Sequence, residues 1–151
     1  MFTPKNILVP TDFSTYADAA LKKAVDIAVQ YNAKIYLLHV IDEKIQQCVA
    51  DYCIDYSVLK QLEADSVKTS QEKLKKEADA IAETKQVEIE FDVKTGIPAE
   101  VILSEQQEKG IDLIVIASHG RTGILSVLMG SVADRVVKGS KCPVIVVKPE
   151  Q

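Results

Sequence analysis

Residues 117–131, ASHGRTGILSVLMGS, have the residue types of an anion-binding loop. The stretch contains three glycines, and His119 and Arg121 supply groups that attract negative charge. Gly130 is followed directly by Ser131. A glycine and a serine at the start of a helix present free backbone N–H groups and the positive end of the helix dipole to an anion. One interpretation of the pattern is therefore a phosphate site.

A second interpretation of Gly130 fits the same residues equally well. Several apolar side chains around it share one face of a continuous helix, so Gly130 would be a packing glycine in mid-helix. Spacing alone leaves both interpretations open. The apolar stripe consists of Leu125, Leu128, Met129, Val132 and Val136.

Polar side chains also follow the first apolar run of the chain, in the sequence PTDFS at 10–14. Asp12 is suited to binding a ribose hydroxyl or a magnesium ion, and the alternative is a turn-forming aspartate before a helix. His39 is interpreted as a packed strand residue. Because His119 and Arg121 have no third partner at usable spacing for a nucleophilic triad, we predict no catalytic residue.

Several nucleotide-binding motifs are absent from the sequence. There is no G-x-x-x-x-G-K-[ST], which excludes a P-loop NTPase, and no G-x-G-x-x-G follows the first apolar run. A response-regulator receiver would need an acceptor aspartate at the end of its third strand, but Asp92 falls inside the corresponding run. These classes are therefore disfavoured.

Alternating apolar runs and helical patterns must position these residues. The alternation predicts one α/β domain over 1–151, with an open, doubly wound, five-stranded parallel sheet and helices on both faces. Ligands of such sheets bind beyond the carboxyl ends of the strands, where 10–14 and 118–123 lie. The apolar runs are 5–10, 33–41, 86–95, 111–118 and 142–149. The helical patterns are 14–31, 57–85, 97–109 and a last helix that ends near Gly139.

Composition narrows the choice of partners and of compartment. The formal net charge is −4, from 18 basic and 22 acidic residues, so we expect neither nucleic acid nor a membrane as a partner. No apolar run approaches the roughly 20 residues that span a bilayer. The three cysteines have irregular spacing, which predicts a reducing, cytoplasmic location and no metal site. The connection 42–56 has no clear secondary-structure pattern.

Six segments in order resemble the universal stress protein family over nearly the whole chain: ILVPTDFS, LLHVID, GIPAEVIL, DLIVIASHGRTG, GSVADRVV and CPVIVVKP. Nucleotide-binding members of that family carry G-x2-G-x9-G-[ST] after the fourth strand. Gly120, nine further residues and Gly130-Ser131 match the second half of this motif, whereas Ala117 stands at the first glycine. The resemblance also implies the sheet order 3-2-1-4-5.

The resemblance implies an ATP-binding regulatory protein of the stress response, with ATP as the ligand, either alone or with Mg²⁺. It places the nucleoside beside the first strand, with Asp12 towards the ribose, adenine against the second strand, and the phosphates on the 117–132 stretch. We expect at most slow ATP hydrolysis. The residues so implied are Pro10, Thr11, Asp12, Val40, Ala117, Gly120, Arg121, Gly130, Ser131 and Val132.

An alternative within the same family is a dimeric stress-response adaptor that does not bind nucleotides, which Ala117 favours. Both hypotheses include a homodimer formed through the strand 142–148. That strand is apolar on both faces, yet the implied order places it at an edge of the sheet, where unpaired N–H and C=O groups can pair with a second copy.

Overall fold

The computed structural model describes residues 1–44, 51, 55–121 and 129–149. Strands and helices alternate along the chain, as predicted. The strands are β1 Asn6–Pro10, β2 Lys34–Asp42, β3 Ile89–Gly96, β4 Leu113–Ala117 and β5 Val144–Val147. The helices are α1 Thr15–Tyr31, α2 Tyr56–Lys85, α3 Pro98–Glu108 and α4 Ser131–Gly139.

The five strands form one parallel sheet in the order β3-β2-β1-β4-β5, which confirms the predicted fold and strand order. β1 and β4 are hydrogen-bonded neighbours in the middle of this sheet. All five residues of β4 are buried, as expected of a parallel strand covered on both faces. The order reverses between β1 and β4, so the turns that follow these two strands lie side by side.

Helices cover both faces of the sheet, and alternate residues of each strand point to opposite layers. Ile7 and Val9 of β1 pack in a cluster with α1 and with Leu74 of α2. Leu8, between them, packs in a second cluster with Ile102 of α3 and with residues of α4. The two clusters form the core on either side of the sheet. Burial of their apolar surface is the main contribution to the free energy of folding.

Local signals account for most element boundaries. Ser14 is the N-cap of α1 and its hydroxyl accepts the Ala17 N–H at 3.1 Å, and Pro98 begins α3. The expected strand at 86–95 begins only at Ile89, because Gln86 adopts a left-handed conformation (φ 56°) at the end of α2.

The last strand, β5, is also shorter than the expected run 142–149. The Ser140 hydroxyl accepts the Cys142 N–H at 3.1 Å, which makes a turn at that point, and β5 starts after Pro143. The segments 45–50 and 52–54 of the unassigned connection, with Cys48 and Cys53, lie outside the described residues. Among the helices that are described, none is long and apolar enough to cross a membrane.

The hydroxyl cap of Ser14 gives a direct test of how firmly α1 starts. We expect Ser14→Ala to lower the free energy of unfolding by about 1 kcal/mol, because one N–H of the first turn loses its acceptor. Urea denaturation measures this change. Ser104→Ala, at an exposed position within α3, is the matched control and should change it by less than about 0.5 kcal/mol. Equal losses would contradict the capping role.

Candidate functional site

A cleft of about 540 Å³ opens at the carboxyl ends of β1, β2 and β4, where the strand order reverses. This volume lies within the usual range of small-molecule sites. The structure brings all ten predicted site residues to this one cleft. They are Pro10, Thr11, Asp12, Val40, Ala117, Gly120, Arg121, Gly130, Ser131 and Val132.

The turn after β1 is held by its own polar side chains. The Thr11 hydroxyl accepts the Phe13 N–H at 3.1 Å, and Oδ1 of Asp12 accepts the Ser14 N–H at 3.0 Å. Phe13 has φ of 66°, a left-handed conformation that is costly for a residue with a side chain and is concentrated at functional sites. Asp12 thus has the turn-forming role that the sequence offered as one interpretation.

The second carboxylate oxygen of Asp12 reaches across the cleft to the turn after β4. Oδ2 accepts the backbone N–H of Arg121 at 2.6 Å. A Cβ atom added to Gly120 would meet the same oxygen at 2.8 Å, closer than such atoms approach. Glycine at position 120 therefore gives the Asp12 carboxylate the space to reach this backbone.

Gly130 is the N-cap of α4 and has an extended backbone (φ −68°, ψ 161°), so the mid-helix interpretation of this glycine is wrong. Its N–H donates to the Ser118 carbonyl at 2.6 Å. A Cβ atom here would lie 3.2 Å from that same oxygen, so glycine permits the close approach of these two segments of the chain. Leu125 and Leu128 of the proposed stripe lie outside the described residues.

The first turn of α4 presents backbone donors to the cleft. The first helical hydrogen bond runs from the Asp134 N–H to the Gly130 carbonyl at 2.9 Å. The preceding N–H groups, those of Ser131, Val132 and Ala133, thus have no acceptor within the helix. These three residues line the cleft, and no side chain caps the helix at Gly130. The arrangement suits an anion.

His39 is half-buried in β2, as the sequence predicted. Its Nδ1 lies 2.7 Å from the Thr11 carbonyl oxygen. Because a carbonyl can only accept, Nδ1 carries the proton. Burial lowers the pKa of His39, which favours the neutral ring. The ring also packs against Phe13 with centroids 4.5 Å apart, so His39 supports the turn that carries Asp12.

His119 and Ser118, which follow β4, are almost fully buried at the floor of the cleft. The Ser118 hydroxyl and Nδ1 of His119 are 2.8 Å apart. Across residues 1–44, 51, 55–121 and 129–149, no three His, Cys, Asp or Glu side chains come together in a group that could hold a metal ion. A metal at this cleft would rely on Asp12 and on oxygens of the ligand itself.

Sequence reasoning missed several residues of the cleft. Pro98 and Ile102 of α3 form part of its wall, and their apolar character indicated only a buried helix face. Ser66 of α2 and Asp42 at the end of β2 also line it. Both are polar residues in charged surroundings, so nothing in the sequence distinguished them from solvated surface.

A parallel sheet in this order, with a cleft at its switch point, defines a doubly wound α/β protein whose cleft lies where such folds bind ligands. The sequence model of the universal stress protein family matches residues 3–148, and the chain belongs to that family.

Relatives of known family confirm this membership. The chain is 34% identical over 145 residues to universal stress protein MJ0531 of Methanocaldococcus jannaschii, with 95% of this chain and 82% of the relative covered. It is 35% identical over 160 residues to MJ0577 of the same organism, with 95% and 94% covered. Universal stress protein YxiE of Bacillus subtilis is 33% identical over 150 residues, with 94% and 97% covered.

Solved structures agree with the fold. The structure of MJ0577 superposes with a TM-score of 0.80 at 34% identity, covering 99% of both chains. Universal stress protein UspA of Lactobacillus plantarum gives 0.78 at 30% identity, covering 95% of this chain and 97% of that one. A universal stress protein in complex with cAMP shares the fold at 23% identity, with a TM-score of 0.63 and 97% and 98% covered.

The contact between Asp12 and the Gly120–Arg121 backbone predicts a measurable coupling. We expect Gly120→Ala to lower the free energy of unfolding by about 1–3 kcal/mol, because the new Cβ displaces the carboxylate. In an Asp12→Ala background the loss should be smaller by about 1 kcal/mol. Denaturant unfolding of the four proteins in the cycle measures this coupling.

Gly139→Ala is the matched control for this cycle. Gly139 ends α4, at the end of the helix opposite the cleft. Its effect should be the same with and without Asp12→Ala, within about 0.5 kcal/mol. A loss for Gly120→Ala that is equally insensitive to Asp12→Ala would contradict the role of the carboxylate in excluding a side chain at position 120.

Proposed function

We propose that this universal stress protein is a regulatory module that binds an adenine nucleotide, ATP with Mg²⁺ in the cell, in the cleft between β1 and β4. The observation that carries the proposal is the position of the open N-terminus of α4 beside the turn after β4. Gly130 lies within hydrogen-bonding distance of Ser118, and Ser131, Gly120 and Arg121 line the same cleft. The open backbone N–H groups in the first turn of α4 thus face a cleft that the turn after β4 borders, an arrangement that suits a phosphate.

The rest of the cleft suits a base and a ribose. Its wall towards α3 is apolar, with Val40, Ile102 and Val132 lining it. An apolar wall beside a few polar groups is the usual composition of a site for a flat ring with a charged tail. Val40 stands on the sheet face that packs towards α3 and α4, which supports its proposed contact with adenine.

Ala117, which stands at the first glycine of the family motif, is a weaker argument against nucleotide binding than the sequence suggested. Ala117 is 9% exposed and packs in the core cluster that faces α1. The other residues of β4 in that cluster are Leu113 and Val115, which alternate with it along the strand. The extra methyl group is therefore accommodated mainly by the core, which supports nucleotide binding over the adaptor hypothesis.

Two proteins of this fold hold adenine nucleotides. One is the universal stress protein in complex with cAMP, and the other is the universal stress protein from Archaeoglobus fulgidus in complex with dAMP, at 21% identity and a TM-score of 0.59. At these identities the likeness concerns the fold alone. It indicates that this architecture has room for the ligand class.

We expect the cleft to bind ATP and to hydrolyse it slowly at most. Hydrolysis of ATP needs a residue that orients the attacking water. Both carboxylate oxygens of Asp12 already accept backbone N–H groups, which leaves this residue poorly placed to orient a water. Bound Mg²⁺ would take one carboxylate, phosphate oxygens of the nucleotide and several waters as its ligands. The cytoplasmic location and the single domain over 1–151 stay predictions.

Ser131 gives the sharpest test of the phosphate end, because a side chain at Gly130 would press on the Ser118 carbonyl before it reached a ligand. We expect Ser131→Ala to weaken ATP binding by roughly 1.5–3 kcal/mol, since the charged phosphate loses the hydroxyl that donates a hydrogen bond to it. Calorimetry with ATP and Mg²⁺ measures the affinity. Ser104→Ala, outside the cleft, is the control. Identical affinities for the wild type and both variants would contradict the assignment of a phosphate to Ser131.

The adaptor hypothesis and the nucleotide hypothesis share a proposed homodimer through 142–148. β5 pairs only with β4 among the described strands, so its outer edge is available to a second copy. Val146 packs in the core, whereas Ile145 is 37% exposed. Ile145→Lys therefore tests the edge more cleanly than Val146→Lys.

We expect the wild type to sediment as a dimer at micromolar concentration and Ile145→Lys to shift it towards monomer, because a charge on a paired edge opposes association. Sedimentation velocity measures the shift. Val29→Lys, at an exposed apolar position on α1, is the matched control and should leave the dimer intact. A monomeric wild type, or a dimer that both variants leave unchanged, would contradict the proposal.

A further inference from the structure

Phe13, in the turn after β1, has a strained backbone, and two neighbouring elements contact its ring. The Nζ atom of Lys73 in α2 lies 5.0 Å from the centroid of the Phe13 ring, and the centroid of the His39 ring in β2 lies 4.5 Å from it. A left-handed conformation persists in a residue with a side chain only where the surroundings hold it. The contacts of this ring therefore help to set the conformation of the turn.

The strained residue is joined directly to the polar contacts at the border of the cleft. Asp12 precedes Phe13, and its two carboxylate oxygens accept the N–H groups of Ser14 and Arg121 at 3.0 and 2.6 Å. Both Asp12 and Arg121 line the cleft. Because the carboxylate reaches both groups only from this turn conformation, a change at Phe13 would alter the border of the cleft.

One face of α2 runs from the cleft to the start of α1. Its residues recur at intervals of three or four, and they lie in succession beside the cleft, in the buried interior, at the Phe13 ring and near Asp18 of α1. They are Ser66, Ser70, Lys73 and Glu77. The contact at Phe13 thus depends on how closely this face of α2 docks.

Glu77 opposes this docking. Its Oε2 atom is buried and has no hydrogen-bond partner among the residues that the structure describes. Burial raises the pKa of Glu77, and the carboxylate of Asp18 raises it further. Near neutral pH, a buried and unpaired carboxylate beside a second one weakens the contact between α1 and α2. The docking of α2 is therefore a balance between attraction at Lys73 and repulsion at Glu77.

We propose that α2 regulates the cleft through Phe13. With Lys73 against the ring, the turn keeps the conformation in which Asp12 accepts both N–H groups, and when α2 moves away the turn is released. Lys73 is a positioning residue, because it acts on the cleft through Phe13. The turn is the element with two states, and both α2 and a ligand bias it.

A ligand that binds the held turn and the docking of α2 must stabilise each other, because coupling between two sites is reciprocal. The inference rests on the proposed adenine-nucleotide site for its ligand and adds the regulation of that site. The contact between α2 and the turn itself exists without a ligand, so the two proposals can be tested separately.

The ligand-free protein tests the coupling between α2 and the turn. NMR measures the exchange rates of the Ser14 and Arg121 N–H groups, which donate to Asp12, in the full chain near neutral pH. We expect Lys73→Met to raise both rates about threefold, the effect of losing one exposed cation–π contact. Glu77→Gln keeps the size of the side chain and removes its charge, and it should lower both rates about threefold.

Matched variants on the same helix separate this contact from the general charge of α2. Lys76→Met and Glu72→Gln remove the same charges at exposed positions and should leave both rates within about twofold of the wild type. Lys73→Arg keeps a cation against the ring and should keep the wild-type rates. Exchange of the β4 amides reports opening of the whole core and corrects for any change in global stability.

Adenosine tests the effect on the cleft, because it carries no charge and so does not respond to the general charge of Lys73. Calorimetry on the same variants measures its affinity. We expect Lys73→Met to weaken adenosine binding about threefold and Glu77→Gln to strengthen it about threefold, since the ligand and α2 bias the same turn. The three control variants should bind adenosine as the wild type does.

The outcomes separate this inference from the proposed function. If Lys73→Met and Glu77→Gln change the exchange of Ser14 and Arg121 no more than the controls do, the inference is wrong and the proposed site is unaffected. If exchange changes while the affinity for adenosine does not, α2 does not regulate the cleft and the inference is again wrong. If exchange changes and the wild type binds no adenine compound, the proposed function fails, whereas the coupling of α2 to the turn stands.

Discussion

β1 and β4 pair in the middle of the sheet, and the whole cleft depends on this pairing. Asp12 and Arg121 are 109 residues apart in the sequence, yet a 2.6 Å hydrogen bond joins them because their strands end side by side. The same neighbourhood brings the start of α4 against the turn after β4. Burial of both strands between two helical layers fixes the relative position of the turns that follow them, which make these contacts.

Two glycines allow that geometry because they have no Cβ atom. Gly120 and Gly130 both have Cβ positions that meet neighbouring polar atoms, the Asp12 carboxylate and the Ser118 carbonyl. At Gly130 the backbone is extended, and its φ of −68° is available to any residue. The requirement at both positions is space for another chain segment to approach. A motif of spaced glycines in this family thus has a packing reason as well as a ligand-binding one.

Much of the fold followed from local patterns, whereas contacts within the site did not. The apolar runs predicted all five strands, because residues buried on both faces leave a continuous signal. Pro98 and Ser14 marked helix starts for stereochemical reasons. The left-handed conformation of Phe13 had no signal, since phenylalanine is not among the residue types that favour positive φ.

Residue patterns already pointed to Asp12, Arg121 and Gly130-Ser131, and the family resemblance completed the list of ten site residues. The structure then brought them to one cleft, but it also placed Ser66, Pro98 and Ile102 there. These three are contributed by helices whose position depends on long-range packing. Their residue types are those of an ordinary helix surface or an ordinary core. Sequence patterns describe each helix by itself, so they could not indicate that α2 and α3 border the cleft.

The length of α2 has a consequence for hydrogen exchange in the helix that borders the cleft. Its 30 residues span about 45 Å, whereas the eight residues of β3 span about 26 Å. Its buried residues, Ser70, Leu74 and Ala78, all lie from the middle of the helix onwards. The first half therefore depends on its own backbone bonds, and a helical segment of this length is only marginally stable alone. Backbone amides before Ser70 should exchange with solvent quickly, through local fraying of the helix. Those after Ser70 should exchange slowly, because they exchange only when the core opens. Ser66 places the cleft beside the part of the molecule that unwinds first.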